Sequence, residues 1–526
     1  MRISTAQYFE TSAANYQRNY ANVIKSSEEA ASGIRVNSGA DDPVGAARLL
    51  QLDQQSAMLK QYSGNITTVR NTLGSSEAVL TSISQVMQRA RELAIGAGNG
   101  NYTDADRQAN AAELGQIEEQ LVSLMNSKDQ NGQYLFSGSN SSVAPYSRNS
   151  DGTYSYNGDQ TTLSLQVGDT QWMATNDTGF SIFEQAANTS RSQVTSVPNA
   201  LVPNDGRVAL SNGQVSDSAA YNANFRAGEP YTVNVKAGSQ LQILDKNNVD
   251  VTAEATRNGQ FSATDGKTQT ISFRGLEMSM DVQLPAGETD ANLAGISFTL
   301  GVKADSFSAT RSPSNASTAV MTGTTITDQA AYDSAFPAGS AVLKFKGTAP
   351  DPVTFDLYAA PLTASSKPVV ANQPMTGTTA TAAGVTFNFS AATQDGDQFN
   401  VAVDTHQSQS ILDTVGQLRK ALSAPVGTAA EKQQFQAALA SGIANLASGH
   451  DQLTTAISAI GARGAALDTQ SDTNQSLQAA NSSTTASIRD SDPAEVLVRL
   501  NLQQTMLQAS QLAFSKISQL SLFSRL

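Results

Sequence analysis

Apolar residues recur every seventh position near both ends of this chain, and this repeat constrains the fold more than any other feature. The first series consists of Leu52, Leu59, Ile66, Leu73, Leu80, Met87 and Ala94. The second series consists of Leu439, Leu446, Leu453, Ile460 and Leu467. Such a repeat lies along one side of an α-helix and is typical of helices that pair side by side. The sequence therefore predicts two long helices, one from each end of the chain, that pack together.

Proline separates these helical ends from the middle. Twelve of the 15 prolines lie between Pro145 and Pro374. Because proline is costly inside a helix, the proline-poor ends can run as long helices. Asp42-Pro43 and Asp492-Pro493 are each typical of a helix start, with aspartate as the cap and proline in the first turn. We therefore predict a helix that begins at each of these two pairs.

The extreme ends carry further apolar stripes. The first 34 residues place a stripe, with Ser27 as its polar exception, at Phe9, Ala13, Tyr16, Tyr20, Val23, Ala30 and Ile34. The last helix carries two stripes, one of Leu502, Met506, Ala509, Ala513 and Leu520, the other of Leu500, Leu507, Phe514 and Ile517. A helix that is apolar on two faces needs more than one partner. We expect residues 1–35 and 490–526 to be poorly ordered in a free subunit and helical after assembly.

The middle of the chain has a different pattern. Short runs alternate apolar and polar residues, as in Tyr231 to Val235 and Val385 to Phe389, and turn residues separate them. This pattern is typical of antiparallel β-structure. Two stretches, 228–302 and 338–403, resemble each other loosely, because each opens with predicted strands and ends in a turn followed by a strand. The sequence predicts one or two small β domains.

Together these patterns predict an α+β fold, in which a long coiled-coil helical rod carries one or two β-rich domains inserted in its middle. The predicted terminal coiled coil comprises residues 1–42 with 490–526. The predicted rod, with a β-hairpin region, comprises 43–190 with 405–489. The predicted β-rich variable domains are 191–310 and 311–404.

Composition removes several classes of function. The chain has 526 residues, no cysteine and two histidines, and its net charge is −13. Without cysteine, disulfides, thiolate-bound zinc, iron–sulfur clusters and thiol catalysis are excluded. The acidic balance argues against a nucleic-acid partner, because phosphates are bound by clustered basic residues. No run of about 18 apolar residues is present, so we predict no membrane partner.

Catalytic motifs are not found in the sequence. There is no Gly-x-Ser-x-Gly, His-Glu-x-x-His or phosphate-binding loop. His406 follows Asp404 by two residues and His450 precedes Asp451, but no activated serine motif accompanies either histidine. Asp395-Gly396-Asp397 is typical of a hairpin turn. We predict a protein that is not an enzyme, with no cofactor, no metal and no catalytic residue.

Several motifs resemble one known family. Residues 31–45, Ala-Ser-Gly-Ile-Arg-Val-Asn-Ser-Gly-Ala-Asp-Asp-Pro-Val-Gly, resemble the signature Ser-Gly-x-Arg-(Ile/Val)-Asn-Ser-x-x-Asp-Asp of the bacterial flagellin superfamily. The start Met1-Arg2-Ile3-Ser4-Thr5, the run Gly132 to Gly138 and the ending Leu500 to Phe523 are similar to its hook-associated members. The resemblance covers about residues 1–140 and 405–526.

The resemblance implies a structural role in the bacterial flagellum, outside the cell. Members of this superfamily leave through the flagellar export apparatus without a cleaved signal peptide, and the opening residues here lack the apolar core of such a signal. Hook-associated members form a ring of subunits between hook and filament, with their terminal helices along the axis. The implied partners are further copies of the chain, a neighbouring hook-associated protein, flagellin, and an export chaperone that binds the C-terminal helix.

The resemblance also implies which residues act in assembly. The expected assembly residues on the terminal stripes are Phe9, Tyr16, Tyr20, Val23, Ile34, Leu500, Leu502, Met506, Leu507, Phe514, Ile517 and Leu520. The expected connector between the terminal coiled coil and the rod is Gly33, Arg35, Asn37, Asp41 and Asp42.

Two other functions stay open at this point. A flagellin that forms the filament would share the same rod. An extracellular adhesin would use the β domains to bind a ligand and the helices as a stalk. An enzyme grafted into the variable region is disfavoured, because the chain has two histidines and no zinc motif.

Overall fold

A computed structural model gives the fold. It describes residues 2–523 except 100–101, 150–151, 265–266, 313, 338–339, 348–352, 361, 363–365 and 428. Within helices and strands, the side chains of 2–6, 8, 9, 429, 430 and 517–523 also lie outside the description.

Long helices form both ends of the chain, as the sequence predicts. The N-terminal part contains α1 (Arg2–Ser32), α2 (Pro43–Ala97) and α3 (Asp104–Met125). The C-terminal part contains α7 (Ile411–Ser423), α8 (Ala429–Arg489) and α9 (Pro493–Phe523). Short helices α4 (Ser218–Ala220), α5 (Arg226–Gly228) and α6 (Gln329–Ala335) lie in the middle. The predicted α+β fold class is confirmed.

The predicted starts of two helices are also found. α2 begins at Pro43, and the Asp42 carboxylate accepts a hydrogen bond from the backbone N–H of Gly45 at 2.9 Å. α9 begins at Pro493, and the Asp492 carboxylate accepts from the backbone N–H of Ala494 at 2.8 Å. In both cases an aspartate satisfies an N–H that has no partner within the helix.

The described residues divide into two compact units. The first unit consists of Met1–Ser76, Thr162–Asn176 and Ala459–Leu526. The second unit consists of Glu77–Thr161 and Asp177–Ser458. Both α2 and α8 contribute residues to each unit.

The seven-residue series form the core between α2 and α8. In the first unit the buried members are Leu59, Ile66, Leu73, Ile460 and Leu467. In the second unit they are Leu80, Met87, Ala94, Leu439, Leu446 and Leu453. Polar contacts also join the two helices, such as the 2.5 Å ion pair of Arg70 with Asp468 in the first unit. The predicted pairing of these helices is therefore observed.

The α8 series continues further than its apolar repeat predicts. Asn474 and Asn481 follow Leu467 at seven-residue intervals, and both side chains are buried. The Asn474 amide donates to the backbone carbonyl of Val167 at 2.9 Å, and the Asn481 amide donates to that of Leu52 at 2.8 Å. The polar tract at residues 473–485 is thus part of the helix pair, with asparagine in place of leucine.

Short antiparallel strand pairs accompany the helices. Their strands are β1 (Tyr146–Arg148), β2 (Tyr154–Tyr156), β3 (Ser164–Gln166), β4 (Trp172–Ala174) and β5 (Ala186–Ala187). β1 pairs with β2, and β3 with β4. β5 pairs with a strand near the C-terminal helices, β22 (Ser408–Gln409). The side chain of Val167, in the β3–β4 turn, is fully buried in the first unit.

The first β module is a sandwich of two sheets. Its strands are β6 (Ser192–Val197), β7 (Val208–Leu210), β8 (Gln214–Val215), β9 (Tyr231–Lys236), β10 (Gln240–Leu244), β11 (Gln269–Phe273), β12 (Leu276–Val282) and β13 (Ser297–Val302). One sheet has the order β10-β9-β13-β6 and the other β11-β12-β7, with β8 also on β12. Side chains from both sheets, such as Val233, Phe298 and Met278, share one apolar core.

The second β module repeats this arrangement. Its strands are β14 (Ser306–Arg311), β15 (Met321–Ile326), β16 (Ser340–Lys346), β17 (Thr354–Ala359), β18 (Val370–Pro374), β19 (Thr379–Ala382), β20 (Val385–Phe389) and β21 (Gln398–Asp404). Its sheets have the orders β14-β21-β16-β17-β18 and β15-β20-β19. Strand for strand, this is the order of the first module, except that β8 has no counterpart and β18 is an added edge strand. β14 lies in the second module, although the predicted domain boundary after residue 310 passes through it.

Both modules contain the same contact between a helix start and a hairpin turn. Asp217 and Asp328 cap short helical segments of the pattern Asp-x-Ala-Ala-Tyr. The backbone N–H of each aspartate bonds to the carbonyl of a turn glycine, Gly275 or Gly384, at 3.2 and 3.1 Å. Each glycine has positive φ, and a Cβ there would collide with the backbone of the helical segment. The matching contacts support an internal duplication of one module.

Candidate assembly surface

The terminal helices α1 and α9 pack against each other in the first unit. The rings of Tyr16 and Phe514 stack with their centroids 6.2 Å apart. The Asn19 amide donates to the hydroxyl of Ser510 at 2.6 Å, and Arg499 forms an ion pair with Glu29. The paired face of α9 corresponds to one predicted stripe, since Leu500, Leu507 and Phe514 are half-buried.

On α1 the paired face differs from the predicted stripe by one residue at three positions. The predicted members Tyr20, Ser27 and Ala30 are exposed, whereas Asn19 and Glu29 are half-buried and Ser26 is buried. The physical reason is polar pairing, because Asn19 bonds to Ser510 and Glu29 pairs with Arg499 on α9. A search for apolar repeats misses these residues. Tyr16, Val23 and Ile34 are half-buried as part of this region.

The second predicted stripe of α9 lies in solvent within a single chain. Leu502 is 56% exposed and Met506 is 50% exposed. On the same helix, Leu497, Val498 and Leu512 are also exposed, as are Tyr20 and Ile24 on α1. The side chains of the predicted residues Phe9, Ile517 and Leu520 lie outside the described residues. One face of α9 therefore meets α1, and the other is available to a partner.

The predicted connector lies where the two ends of the chain meet. α1 ends before Gly33, whose φ of 68° is a left-handed conformation that favours glycine. The backbone N–H of Arg35 donates to the carbonyl of Arg489 at 2.7 Å, and the Arg35 guanidinium donates to the carbonyl of Ile488 at 2.6 Å. The backbone N–H of Ser491 returns a bond to the carbonyl of Gly33 at 2.9 Å. These bonds hold residues 33–35 beside the end of α8.

The two connector aspartates make different contacts. The Asp41 carboxylate pairs with the Lys25 ammonium of α1 at 2.7 Å and accepts bonds from Ser38. These bonds lower the pKa of Asp41 to about 2, the Lys25 contact having the largest effect. Asp42 caps α2 and lies 3.8 Å from the Arg35 guanidinium. The structure thus brings Arg35, Asp41 and Asp42 together, while Asn37 is exposed beside them.

The other features considered in the sequence were a metal site, a membrane-spanning helix, the histidines and the turn at Asp397. Over the described residues, no three His, Asp or Glu side chains come close enough together to hold a metal ion. No helix among those residues is long and apolar enough to cross a membrane. His450 is half-buried, with Nδ1 3.2 Å from the hydroxyl of Ser84. Asp397 accepts the backbone N–H of Gln394 within its turn, and also those of Ala316 and Ser317 from a distant part of the chain.

Comparison with known proteins agrees with this arrangement. The profile of the bacterial flagellin N-terminal helical region matches residues 3–141. Flagellar hook-associated protein 3 of Salmonella typhimurium is 33% identical over 183 residues, which are 35% of this chain and 57% of that protein. The protein of the same name from Escherichia coli is 28% identical over 223 residues, 42% of this chain and 69% of its relative. The chain is thus similar to the bacterial flagellin N-terminal helical region and to flagellar hook-associated proteins.

A similar fold is found in a solved structure. Flagellar hook-associated protein 3 of Legionella pneumophila aligns over 82% of this chain and 97% of its own length, with a TM-score of 0.51 and 20% identity. At this identity the likeness concerns the fold alone. The match to the Salmonella typhimurium protein spans a little over half of that relative's length.

Proposed function

We propose that this protein is a structural component of the bacterial flagellum that joins the hook to the filament. In this proposal, copies of the chain assemble into a ring through their terminal helices α1 and α9. The role is mechanical rather than catalytic. The observation that carries the proposal is the α9 face of Leu502 and Met506, which is apolar and exposed on a helix whose opposite face already has a partner.

The distribution of apolar surface supports assembly through the first unit. Thirteen of the 21 exposed large apolar side chains among the described residues lie in this unit, although it is the smaller one. Exposed apolar surface is energetically unfavourable in water, and larger patches are typical of interaction sites. A ring would cover these side chains with complementary surfaces of neighbouring copies, in head-to-tail contacts.

Further partners follow from a position between hook and filament. A neighbouring hook-associated protein would contact the ring on one side and flagellin on the other. Before assembly, an export chaperone would cover the apolar C-terminal helix and prevent premature association. The protein would leave the cell by the flagellar export route without a cleaved signal and act outside the cell.

A second candidate function is that of flagellin, the filament subunit. It is favoured by the match of residues 3–141 to the flagellin N-terminal region, which both kinds of protein share. The two functions differ in their consequences for a cell that lacks the protein. Loss of a junction protein leaves the filament subunit without an attachment point, whereas loss of flagellin removes the filament itself.

Deletion of the coding region tests the proposal. Electron microscopy should show complete hooks without filaments, and flagellin should accumulate in the medium. Wild-type protein should restore attached filaments, while Leu502→Asp, which places a charge on the exposed α9 face, should restore few. Filaments that stay attached in the deletion strain would contradict the proposal. Hooks without filaments and without released filament protein would instead identify the chain as flagellin.

A further inference from the structure

His406 lies where the chain enters and leaves the second β module. The chain enters through residues 303–305, between β13 and β14, and leaves through 404–407, from the last residue of β21 to the residue before β22. We call these two segments the neck. The neck also contacts the first module, because the backbone N–H of Lys303 donates to the carbonyl of Arg191 at 2.8 Å.

The His406 ring joins the two segments of the neck. Its Nε2 lies 3.0 Å from the carbonyl oxygen of Ala304, on the entering segment. Its Nδ1 lies 3.0 Å from the carboxylate of Asp404, on the leaving segment. The other Asp404 oxygen accepts the backbone N–H of His406 at 2.8 Å. His406 is 5% exposed, whereas the Asp404 side chain is 57% exposed.

The backbone of His406 is also strained. Its φ is 56°, in the left-handed region that non-glycine residues rarely adopt because of a clash with Cβ. Such strain persists where the surrounding contacts hold the residue in place, and it is found most often at functional positions.

Both partners of the ring can only accept hydrogen bonds. A neutral imidazole has one N–H donor and one nitrogen acceptor, whereas the imidazolium has two donors. Because Ala304 offers a carbonyl and Asp404 a carboxylate, both contacts are hydrogen bonds only when the ring carries two protons. We propose that protonation of His406 closes the neck of the second β module and that its deprotonation opens it.

The neighbouring charged groups do not replace this role. Burial works against ionisation of Asp404, but hydrogen bonds from His406 and the positive charges of His406 and Lys303 lower the pKa of that carboxyl below its ordinary value. Asp404 is therefore a carboxylate wherever histidines titrate. The Asp305 carboxylate accepts the Tyr332 hydroxyl at 2.7 Å, and the Arg191 guanidinium bonds to Gln407 at 3.2 Å. Of these neck groups, His406 is the one whose ring lies between acceptors on both segments.

Amide hydrogen exchange on the full-length protein tests the proposal. Protection factors of the neck amides, corrected for the intrinsic effect of pH, should fall about tenfold between roughly pH 5.5 and pH 8, as expected for loss of one net hydrogen bond. In His406→Gln the neck should lose this dependence on pH. His450→Gln, which changes the other histidine of the chain, should keep it.

Asp404→Asn gives a second and independent test. An asparagine can accept the backbone N–H of His406 with its oxygen and donate with its amide to Nδ1 of a neutral ring. Nε2–H can then still donate to Ala304, so this neck should stay protected at both pH values. Equal protection of the wild-type neck at both pH values would overturn the proposal. Wild-type pH dependence in either His406→Gln or Asp404→Asn would also overturn it.

Discussion

The side-chain amide of Asn481 donates a hydrogen bond to the backbone carbonyl of Leu52 at 2.8 Å, at a position where leucine or isoleucine occupies the first five repeats of α8. Its other polar atom, Oδ1, is buried and has no partner among the described residues. Asn474, one repeat earlier, uses both polar atoms, since Oδ1 accepts from Gln470 at 2.8 Å. A buried asparagine in such a seam fixes the register of a helix pair at a cost in stability.

This difference predicts opposite effects of the same substitution. Asn481→Leu removes an unpaired buried acceptor and adds apolar contact, so the free energy of unfolding should rise by about 1 kcal/mol. Asn474→Leu leaves the Val167 carbonyl and the Gln470 amide without partners, so the free energy of unfolding should fall by about 1–3 kcal/mol. Denaturant unfolding followed by helix circular dichroism measures both. Effects of the same sign would show that the hydrogen bonds do not decide the stability of this seam.

The two connector aspartates, Asp41 and Asp42, make different contacts, so their substitution by asparagine should affect different properties of the subunit. In Asp41→Asn the contact with Lys25 is weakened while the start of α2 is unchanged, so folded subunits should be stable but enter the flagellum less often. In Asp42→Asn the α2 cap is altered while the Lys25 contact remains. Incorporation is measured by the amount of each variant in sheared flagella. Normal incorporation of Asp41→Asn would mean that this residue has no connecting role.

The same connector predicts sensitivity to acid. Because the pKa of Asp41 is lowered to about 2, its contact with Lys25 is complete above the ordinary aspartate value of 3.8 and is lost as the pH falls towards 2. Amide protection at Ser38, whose N–H bonds to Asp41, should decline over this interval. The Asp41→Asn variant should show no such decline. An identical profile in both proteins would contradict the assignment.

A buried carboxyl predicts the opposite pH dependence. Burial raises the pKa of Glu184 to about 7, and the charge of Asp413 adds to this, despite the opposing effect of the nearby Tyr146 and Ser410 side chains. The folded chain therefore keeps a proton that the unfolded chain releases above about pH 4.5, and stability falls as the pH rises from there to about 7. Glu184→Gln should remove this fall and raise the midpoint of unfolding at pH 8. Glu277→Gln, at an exposed position, should not.

Much of the helical part could be predicted from the sequence because apolar repeats encode it directly. The seven-residue repeat correctly predicts burial at Ile66 and Leu453, where burial depends on the side chain alone. It fails at Asn481 and Ser26, since a polar residue enters a seam only when a particular partner accepts its hydrogen bonds. That partner is known only after folding. The exposed face of α9, in contrast, follows from its apolar periodicity.

The β modules were harder to predict. Their alternating strands are visible in the sequence, but strand order depends on pairing between distant segments such as β6 with β13. The repeated Asp-x-Ala-Ala-Tyr pattern at Asp217 and Asp328 is a usable signal of the duplication, which a search for alternating apolar runs does not detect. The neck contact of His406 with Ala304 joins residues 102 positions apart and has no local signal.

The location of the protein in the flagellum tests the central claim most directly. An epitope tag in an exposed loop of the first β module, at Leu201, can be labelled with gold and located by electron microscopy. If the chain joins hook and filament, the label should form one narrow zone at their boundary on each flagellum. Label along the whole filament would identify a filament subunit, and label spread over the cell surface would identify an adhesin. Either of these patterns would contradict the account.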